Sequence, residues 1–401
     1  MDAITGAKEI CKELKNSGHT AYFAGGYVRD LLLGTPSDDI DIATDASPDE
    51  IAALFPDHVL VGAQFGVVLV LLGAHQYEVA SFRKDLLYID GRKPTEISLK
   101  STPREDAERR DFTINCMFFD PETGEIHDFC EGQKDLEKKI IRAIGNPVHR
   151  FEEDRLRMIR CIRFAARLGF EIEPKTRAAI SSMAHTLIPA VSMERIFQEL
   201  NKMRSFAHFK EALLELHSVG LLQAIFPLLK NISLETLKKR LTGVELFSKN
   251  VPTSLFLVRL FDEKDTPFLH KLHRYIKASN EDGTYIQMYL TLLKTDLMHA
   301  SRHTLARLMA DPHFAASFEA IPLPPEITAF VRKQQNALVF FIDRLQKKEP
   351  LVTSKDLLEL GILPGKEMGR LLKVAEEVAI NENILEKKAI LDALKRDHLK
   401  S

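Results

Sequence analysis

Apolar positions recur with helical spacing over residues 3–17, where Ile4, Ala7, Ile10, Cys11 and Leu14 make one stripe and Gly18 stops it. The period then changes. Ala21 to Ala24 is a short apolar run suited to a buried strand, ended by Gly25 and Gly26. Val28 to Leu33 predicts a short helix with Gly34 as its stop signal. After a turn at Pro36, Ser37 and Asp38, residues 39–42 alternate with strand period, Ile40 and Ile42 on one face, Asp39 and Asp41 on the other. Ser47, Pro48, Asp49 and Glu50 start a helix that runs to about Leu54. Strands are predicted at 59–61, 67–72 and 77–82, and in the last of these Glu78 is the one acid among apolar neighbours. Residues 83–96 predict a charged loop, with Asp90 and Gly91 as a turn and Pro94 opposing regular pairing nearby, read either as a solvated hairpin tip or as a mobile loop over the functional site.

Beyond residue 100 the pattern becomes helical. A helix over Glu105 to Arg110 leads through Asp111 and Asn115 to an apolar strand at Cys116 to Phe119. From Phe151 the run FEEDRLRMIRCIRFAARLGF predicts one continuous helix ended by Gly169. Glu153, Arg157, Arg160, Phe164 and Arg167 fall on one stripe; Met158, Ile159, Ile162, Ala165 and Ala166 lie opposite. Asp154 flanks the first stripe, and Arg163 lies off it. Another helix starts at Ser192 and runs through Leu200 and Met203; residues 230–350 are helical with few strand signals.

Composition narrows the function classes. A chain of 401 residues predicts two to four domains. With 55 basic and 57 acidic residues, any nucleic-acid contact has to use local patches. The scattered Cys11, Cys116, Cys130 and Cys161 include no C-x-x-C pair, which speaks against a zinc site or disulfide scaffold and fits a reducing, cytoplasmic setting. Residues 1–5 carry no signal-peptide pattern, and no stretch reaches the ~18 apolar residues of a membrane span. His270, His273, His299 and His303 have helical spacing but no acid pattern that would make them a metal site.

The chemistry concentrates between Gly25 and Thr44, GGYVRDLLLGTPSDDIDIAT. A strand, a Gly-Gly turn and a helix start form a phosphate cradle, with Arg29 placed to grip a phosphate. Asp39 and Asp41, two apart on one strand face, would stand within about 7 Å and repel unless a cation lies between them. Mg²⁺ suits such a pair, since it takes one or two carboxylates plus substrate phosphates. A solvated Asp-x-Asp edge is the bland alternative, and Glu78 is read either as a third catalytic carboxylate or as an edge residue. On the later helix, a carboxylate can accept from an exocyclic amine while a guanidinium donates to a ring nitrogen. Cytosine and adenine offer that pair; uracil and guanine reverse it. An Asp154 and Arg157 pair would therefore select C and A, because the wrong base leaves its polar groups unmet. The alternative is an exposed helix whose acids balance its arginines, against which Phe164 on the same stripe counts.

The run from Gly25 to Thr44 resembles the signature of the nucleotidyltransferase superfamily, in the form carried by class II tRNA CCA-adding enzymes and their bacterial poly(A) polymerase relatives. The resemblance covers roughly residues 20–225 and fades after Phe226 and Pro227. It implies an α+β fold: an N-terminal nucleotidyltransferase (polymerase β-like) mixed-sheet head at 1–145, then an all-α neck (146–205), body (206–345) and tail (346–401). It implies nucleotide contacts by Gly25, Gly26 and Arg29, metal ligation by Asp39 and Asp41, and contact of Arg110 and Asp111 with sugar and triphosphate. Glu153, Asp154 and Arg157 match the family's Glu-Asp-x-x-Arg motif, and Arg160 and Arg163 match nucleotide-contacting positions. His127 and Asp128 match a hinge motif rather than a metal-phosphohydrolase pair, and the family places a flexible loop where 83–96 lies. The expected reaction joins C or A from CTP or ATP to an RNA 3′ end, most simply the CCA end of tRNA; A-only addition and poly(A) tailing share this core, and a non-catalytic RNA-binding relative would need a broken site. No obligate protein partner is expected. Near the end, Gly361 to Gly369 predicts a tight turn between helices, read either as a plain hairpin or as an RNA phosphate contact through Lys366, Arg370 and Lys373.

Overall fold

The computed structural model describes residues 2–35, 37–60, 65–88, 94–99 and 101–397, with the backbone alone at 85–88 and 94–97. The chain divides into two compact units, Met1–Lys239 and Arg240–Ser401. The expected head and neck both fall in the first, and the unit boundary cuts the expected body.

The first unit opens with α1 (Ala3–Asn16), whose buried Ala7, Ile10, Cys11 and Leu14 are the sequence stripe. β1 (Ala21–Ala24) and α2 (Gly26–Leu32) follow, then β2 (Asp41–Thr44), α3 (Pro48–Leu54), β3 (His58–Val59), β4 (Val67–Leu72) and β5 (His75–Ser81). α3 begins with a capping box between Ser47 and Glu50, as the turn chemistry requires. β6 (Lys84–Tyr88) and β7 (Pro94–Ser98) pair with each other, and α4 (Pro103–Glu108), β8 (Phe118–Phe119), β9 (Ile126–His127), α5 (Gly132–Glu137) and β10 (Ile140–Ile141) complete the head. Seven strands form one mixed sheet in the order β3-β4-β5-β2-β1-β8-β9, with β2 and β5 parallel and the other pairs antiparallel.

Four expectations are corrected. The strand through the two Asp starts at Asp41, so Asp39 precedes it: β1 ends at Ala24, which pairs with Asp41 and leaves no ladder partner beyond. In the charged segment the hairpin reading agrees with the antiparallel ribbon of β6 and β7, and it is the bar on pairing at Pro94 that is corrected. Pro94 opens β7 opposite Tyr88, a position where the missing N–H is tolerated, and register shifts absorb the misfit. Asp90, Gly91 and Val61 lie outside the described residues. The strand expected at Cys116 to Phe119 is shortened to Phe118–Phe119, behind a 3₁₀ turn at Thr113–Asn115. Finally, the continuous helix is two: α6 (Pro147–Glu153) and α7 (Leu156–Leu168), separated by Asp154 in extended conformation (φ −147°, ψ 105°). The Asp154 carboxylate accepts the Leu156 N–H at 3.0 Å, a local bond that competes with helix continuation.

After β11 (Glu171–Ile172), which pairs parallel with β10, come α8 (Pro174–Met183), α9 (Leu187–Ala190) and α10 (Met193–Arg204), and α10 packs on α7. Polar groups tie the segment from Asp128 to Glu173 together. Asp128 accepts the N–H groups of Cys130, Gly132 and Gln133 at the start of α5. Gly132 is required there, because a Cβ would stand 2.3 Å from the Thr113 carbonyl oxygen. Arg142 bridges Asp135 and Glu173 at 2.9 and 3.1 Å.

The second unit is helical, with no strand among its described residues. Leu255, Ile276, Tyr289, Leu305, Leu357, Leu371 and Leu394 are in its core. His303 lies 2.9 Å from Glu376, and among the described residues no three of His, Cys, Asp and Glu group to hold a metal ion. No described helix is long and apolar enough to cross a membrane.

Candidate nucleotide site

β1 delivers Gly25 and Gly26 beside Asp41, the β2 partner of Ala24. Gly25 sits at φ +64°, and a Cβ there would meet Arg110 Nη1 at 2.9 Å, so the turn needs glycine both for its backbone and for the close approach of a guanidinium. On the parallel strand β5, Val79 pairs with Ile42, which puts Glu78 abreast of Asp41. Ile42 and Val79 are buried; Asp41 and Glu78 alternate to the exposed side. The Asp41 carboxyl is pushed up to about 6, by desolvation first and then by the negative charges of Glu78 and Asp39. Hard oxygen donors that oppose each other's ionisation are what a divalent cation relieves, so the Asp41 carboxylate suits such an ion, although Asp39, Asp41 and Glu78 do not converge as a three-ligand group.

A cavity of about 500 Å³ opens from this point. Gly25, Gly26, Arg29 and Asp41 line one part of it, Arg110 and Asp111 the next, and Asp154, Arg157, Arg160 and Arg163 the rest. Arg163, off the expected stripe, also lines the cavity, because on α7 it stands only about 40° from Arg167 around the helix axis and so borders the stripe. Asp39, Glu78 and Glu153 are not on the wall; Glu153 instead grips Arg157 at 2.5 Å.

The sequence reading missed Arg109, Asn115, Phe164, Arg167 and Arg195, which also line the cavity. Phe164 and Arg167 lay on the predicted stripe. Arg109 and Asn115 belong to the run around Asp111. Arg195 begins α10, and no local pattern ties it to a site more than forty residues upstream.

Eight arginines thus face one space, and each is held by a carboxylate. Arg29 donates to Asp30 at 2.8 and 2.9 Å and to Asn115 Oδ1 at 2.6 Å. At 1 % exposure Arg29 is part of the wall rather than the free grip that was expected. Arg167 shares Asp30 at 2.9 Å, and Arg109 and Arg110 share buried Asp106 at 2.6 and 2.9 Å. Burial opposes ionisation of Asp106, but Arg110 and Arg109 outweigh it and hold its carboxyl below the usual range. Arg160 donates twice to Asp111 Oδ2 (2.9 and 2.5 Å), Arg163 to Glu199 (2.6 Å). Asp111 is likewise held at about 2, burial being overcome chiefly by Arg160. The Asp154 and Arg157 side chains are held by other partners: the Asp154 carboxylate accepts from Arg195 at 3.0 Å, while the Arg157 guanidinium is tied to Glu153 and to the carbonyls of Arg150 and Arg109. Guanidiniums fixed by carboxylates and aimed into one cavity are suited to phosphate oxygens.

Two family descriptions match, "Poly A polymerase head domain" over residues 21–142 and "Probable RNA and SrmB- binding site of polymerase A" over 169–233. The chain is 34% identical over 398 residues to a CCA-adding enzyme of Lactococcus lactis, covering 96% of each. The chain belongs to the CCA-adding enzyme and poly(A) polymerase family. A Bacillus cereus CCA-adding enzyme is also 34% identical, with 97% of each chain covered. The Bacillus stearothermophilus CCA-adding enzyme, solved in complex with CTP, superposes with a TM-score of 0.76 at 28% identity, covering 100% of this chain and 98% of that one. CCA-adding enzymes are tRNA nucleotidyltransferases, and nucleotidyltransferases of this family generally use a divalent metal ion.

Proposed function

We propose that this protein restores the 3′ CCA end of tRNA, adding C and A from CTP and ATP and releasing pyrophosphate. The observation that carries the reading is the single cavity with a Gly-Gly turn and Asp41 at one end, a wall of eight arginines, and Asp154 with Arg157 at the other. Its parts correspond to the metal, the phosphates and the base of a nucleoside triphosphate.

In this reading Asp39 and Asp41, assisted by Glu78, would hold Mg²⁺, which when bound activates the RNA 3′-hydroxyl and neutralises the triphosphate. Gly25 and Gly26 let the phosphates approach backbone, and Arg110 with Arg160 orients them for in-line attack of the 3′-oxygen on the α-phosphorus. Asp111, whose acceptor positions are taken by Phe112, Asn115 and Arg160, would act at the sugar and triphosphate by holding Arg160 toward them. Asp154 and Arg157 read the amine and ring nitrogen shared by C and A; Arg195 and Glu153 hold them in place. On the second unit, Lys366, Arg370 and Lys373 are exposed on one helix, Lys366–Asn381, and would meet RNA phosphates. Arg370 already pairs with Glu367 at 2.6 Å, an exposed bond easily exchanged for a phosphate. Division of labour among head, neck, body and tail, and a reducing cytoplasmic setting for the four free thiols, belong to the same proposal.

The test supplies tRNA ending before CCA, after C and after CC, with CTP and ATP separately and together, and reads product length. Stepwise completion to CCA is expected; long A tails on unrelated RNA would overturn the tRNA reading. Asp39→Ala and Asp41→Ala should abolish incorporation in folded protein, and Asp154→Ala should admit UTP and GTP.

A further inference from the structure

Phe164 faces three of the cavity arginines at once. The Cζ atoms of Arg29, Arg160 and Arg163 lie 5.3, 5.4 and 4.2 Å from its ring centroid. Two of these arginines share its helix, while Arg29 comes from α2. The ring is 5% exposed and is pinned edge-on by Phe112, centroids 5.7 Å apart at 75°. Each guanidinium therefore has two restraints. Its N–H edge is fixed by a carboxylate: Asp30, Asp111 or Glu199. Its other approach is set by one shared aromatic ring.

We propose that Phe164 is a positioning residue for the nucleotide site: its π face holds Arg29, Arg160 and Arg163 together against their mutual repulsion, so that the phosphate-binding array is formed before the nucleotide arrives. This rests on the nucleotide reading of the cavity. The physical argument is that three like charges crowded into a half-buried space spread apart unless something attractive lies between them. Carboxylates behind the wall pull them outward. Asp111 attracts all three guanidiniums, and the negative face of the ring, which lies against each of them, adds a second pull toward one point that desolvation strengthens. An aliphatic side chain of similar volume would fill the same space and offer no such pull. Burial together with the neighbouring Arg160 already lowers the pKa of Arg163, as expected for cations held closer than they would choose.

The decisive comparison keeps shape and changes charge distribution. In the full-length protein, Phe164 is replaced by pentafluorophenylalanine, whose ring face is positive, by Leu, and by Tyr, which keeps the negative face. Binding of inorganic tripolyphosphate is measured by calorimetry, and KM and kcat for CTP and ATP by single-nucleotide addition. The fluorinated and Leu proteins are expected to bind tripolyphosphate about tenfold more weakly and to raise KM for both nucleotides alike, while Tyr stays within about twofold of the wild type. Discrimination against UTP and GTP stays unchanged, because the base is read by Asp154 and Arg157 and not by the three arginines gathered on the ring. If the fluorinated protein binds tripolyphosphate as the wild type does, or if Tyr fails as badly as Leu, Phe164 is packing only and the proposal is overturned. If the wild type itself does not bind tripolyphosphate, the nucleotide reading falls and this proposal with it. The fluorinated ring preserves volume, so an unfolded Leu variant leaves the comparison standing.

Discussion

Removing the charge of Asp111 tests how the arginine wall is held. All four acceptor positions of this carboxylate are used: Oδ1 takes the Phe112 N–H at 2.9 Å and Asn115 Nδ2 at 3.1 Å, and Oδ2 takes two bonds from Arg160. Its pKa falls from 3.8 to about 2 on folding. A depressed carboxylate stabilises the fold above its unfolded pKa and loses that contribution as pH falls through the folded one. Nearly two pKa units correspond to about 2.5 kcal/mol at neutral pH. The Arg160 side chain is 32% exposed, so solvent screening brings the figure to about 2 kcal/mol. Asp111→Asn also turns an amide N–H₂ toward other donors, which adds about 1 kcal/mol. Urea unfolding should therefore show a loss of about 3 kcal/mol at pH 7, narrowing by about 1 kcal/mol at pH 3, where the wild-type carboxylate is losing its own contribution. Combining Asp111→Asn with Arg160→Met should return a coupling energy of about 2 kcal/mol. A gap independent of pH, or zero coupling, would refute the charge-based account.

Two further outcomes follow from local geometry. Gly25→Ala forces a Cβ onto a φ of +64° and against Arg110, so it should lower thermal stability by about 1–2 kcal/mol and raise KM for both nucleotides; an unchanged melting curve with unchanged KM would contradict the close approach. In native protein an aromatic disulfide reagent should reach Cys130 first, because it is half-buried while the other three thiols are buried, and burial pushes Cys11 up to about 12 and raises Cys161 well above the ordinary thiol value. Peptide mapping of the labelled site reads this directly, and first labelling at Cys11 or Cys161 would contradict it.

Much of the head was legible because its signals are local. The stripe of α1, the apolar run of β1, the glycines after it and the capping chemistry of α3 each act within a few residues. The residues of the wall that match the Glu-Asp-x-x-Arg pattern were found in the same way. Failures came where a side chain competes with the backbone or where a partner lies far off. Asp154 breaks the helix because its carboxylate bonds the Leu156 N–H, an option that periodicity does not register. Pro94 pairs because it opens its strand. Arg195 reaches Asp154 only because α10 packs on α7.

The amino-acid sequence by itself determined which groups are present: a glycine turn, an acid pair, a set of arginines and a mixed-sheet head followed by helices. Those choices follow from short-range sterics and hydrophobic periodicity, which neighbouring residues decide among themselves. Tertiary structure decided the long-range pairs, Arg160 with Asp111, Arg163 with Glu199, Arg167 with Asp30 and Arg195 with Asp154. It placed Glu78 abreast of Asp41 through parallel pairing of β2 with β5, shared Asp30 between helices α2 and α7, and gathered three arginines on one phenylalanine. Electrostatic partners are chosen by distance in space, and in this protein those distances are set by strand register and helix packing.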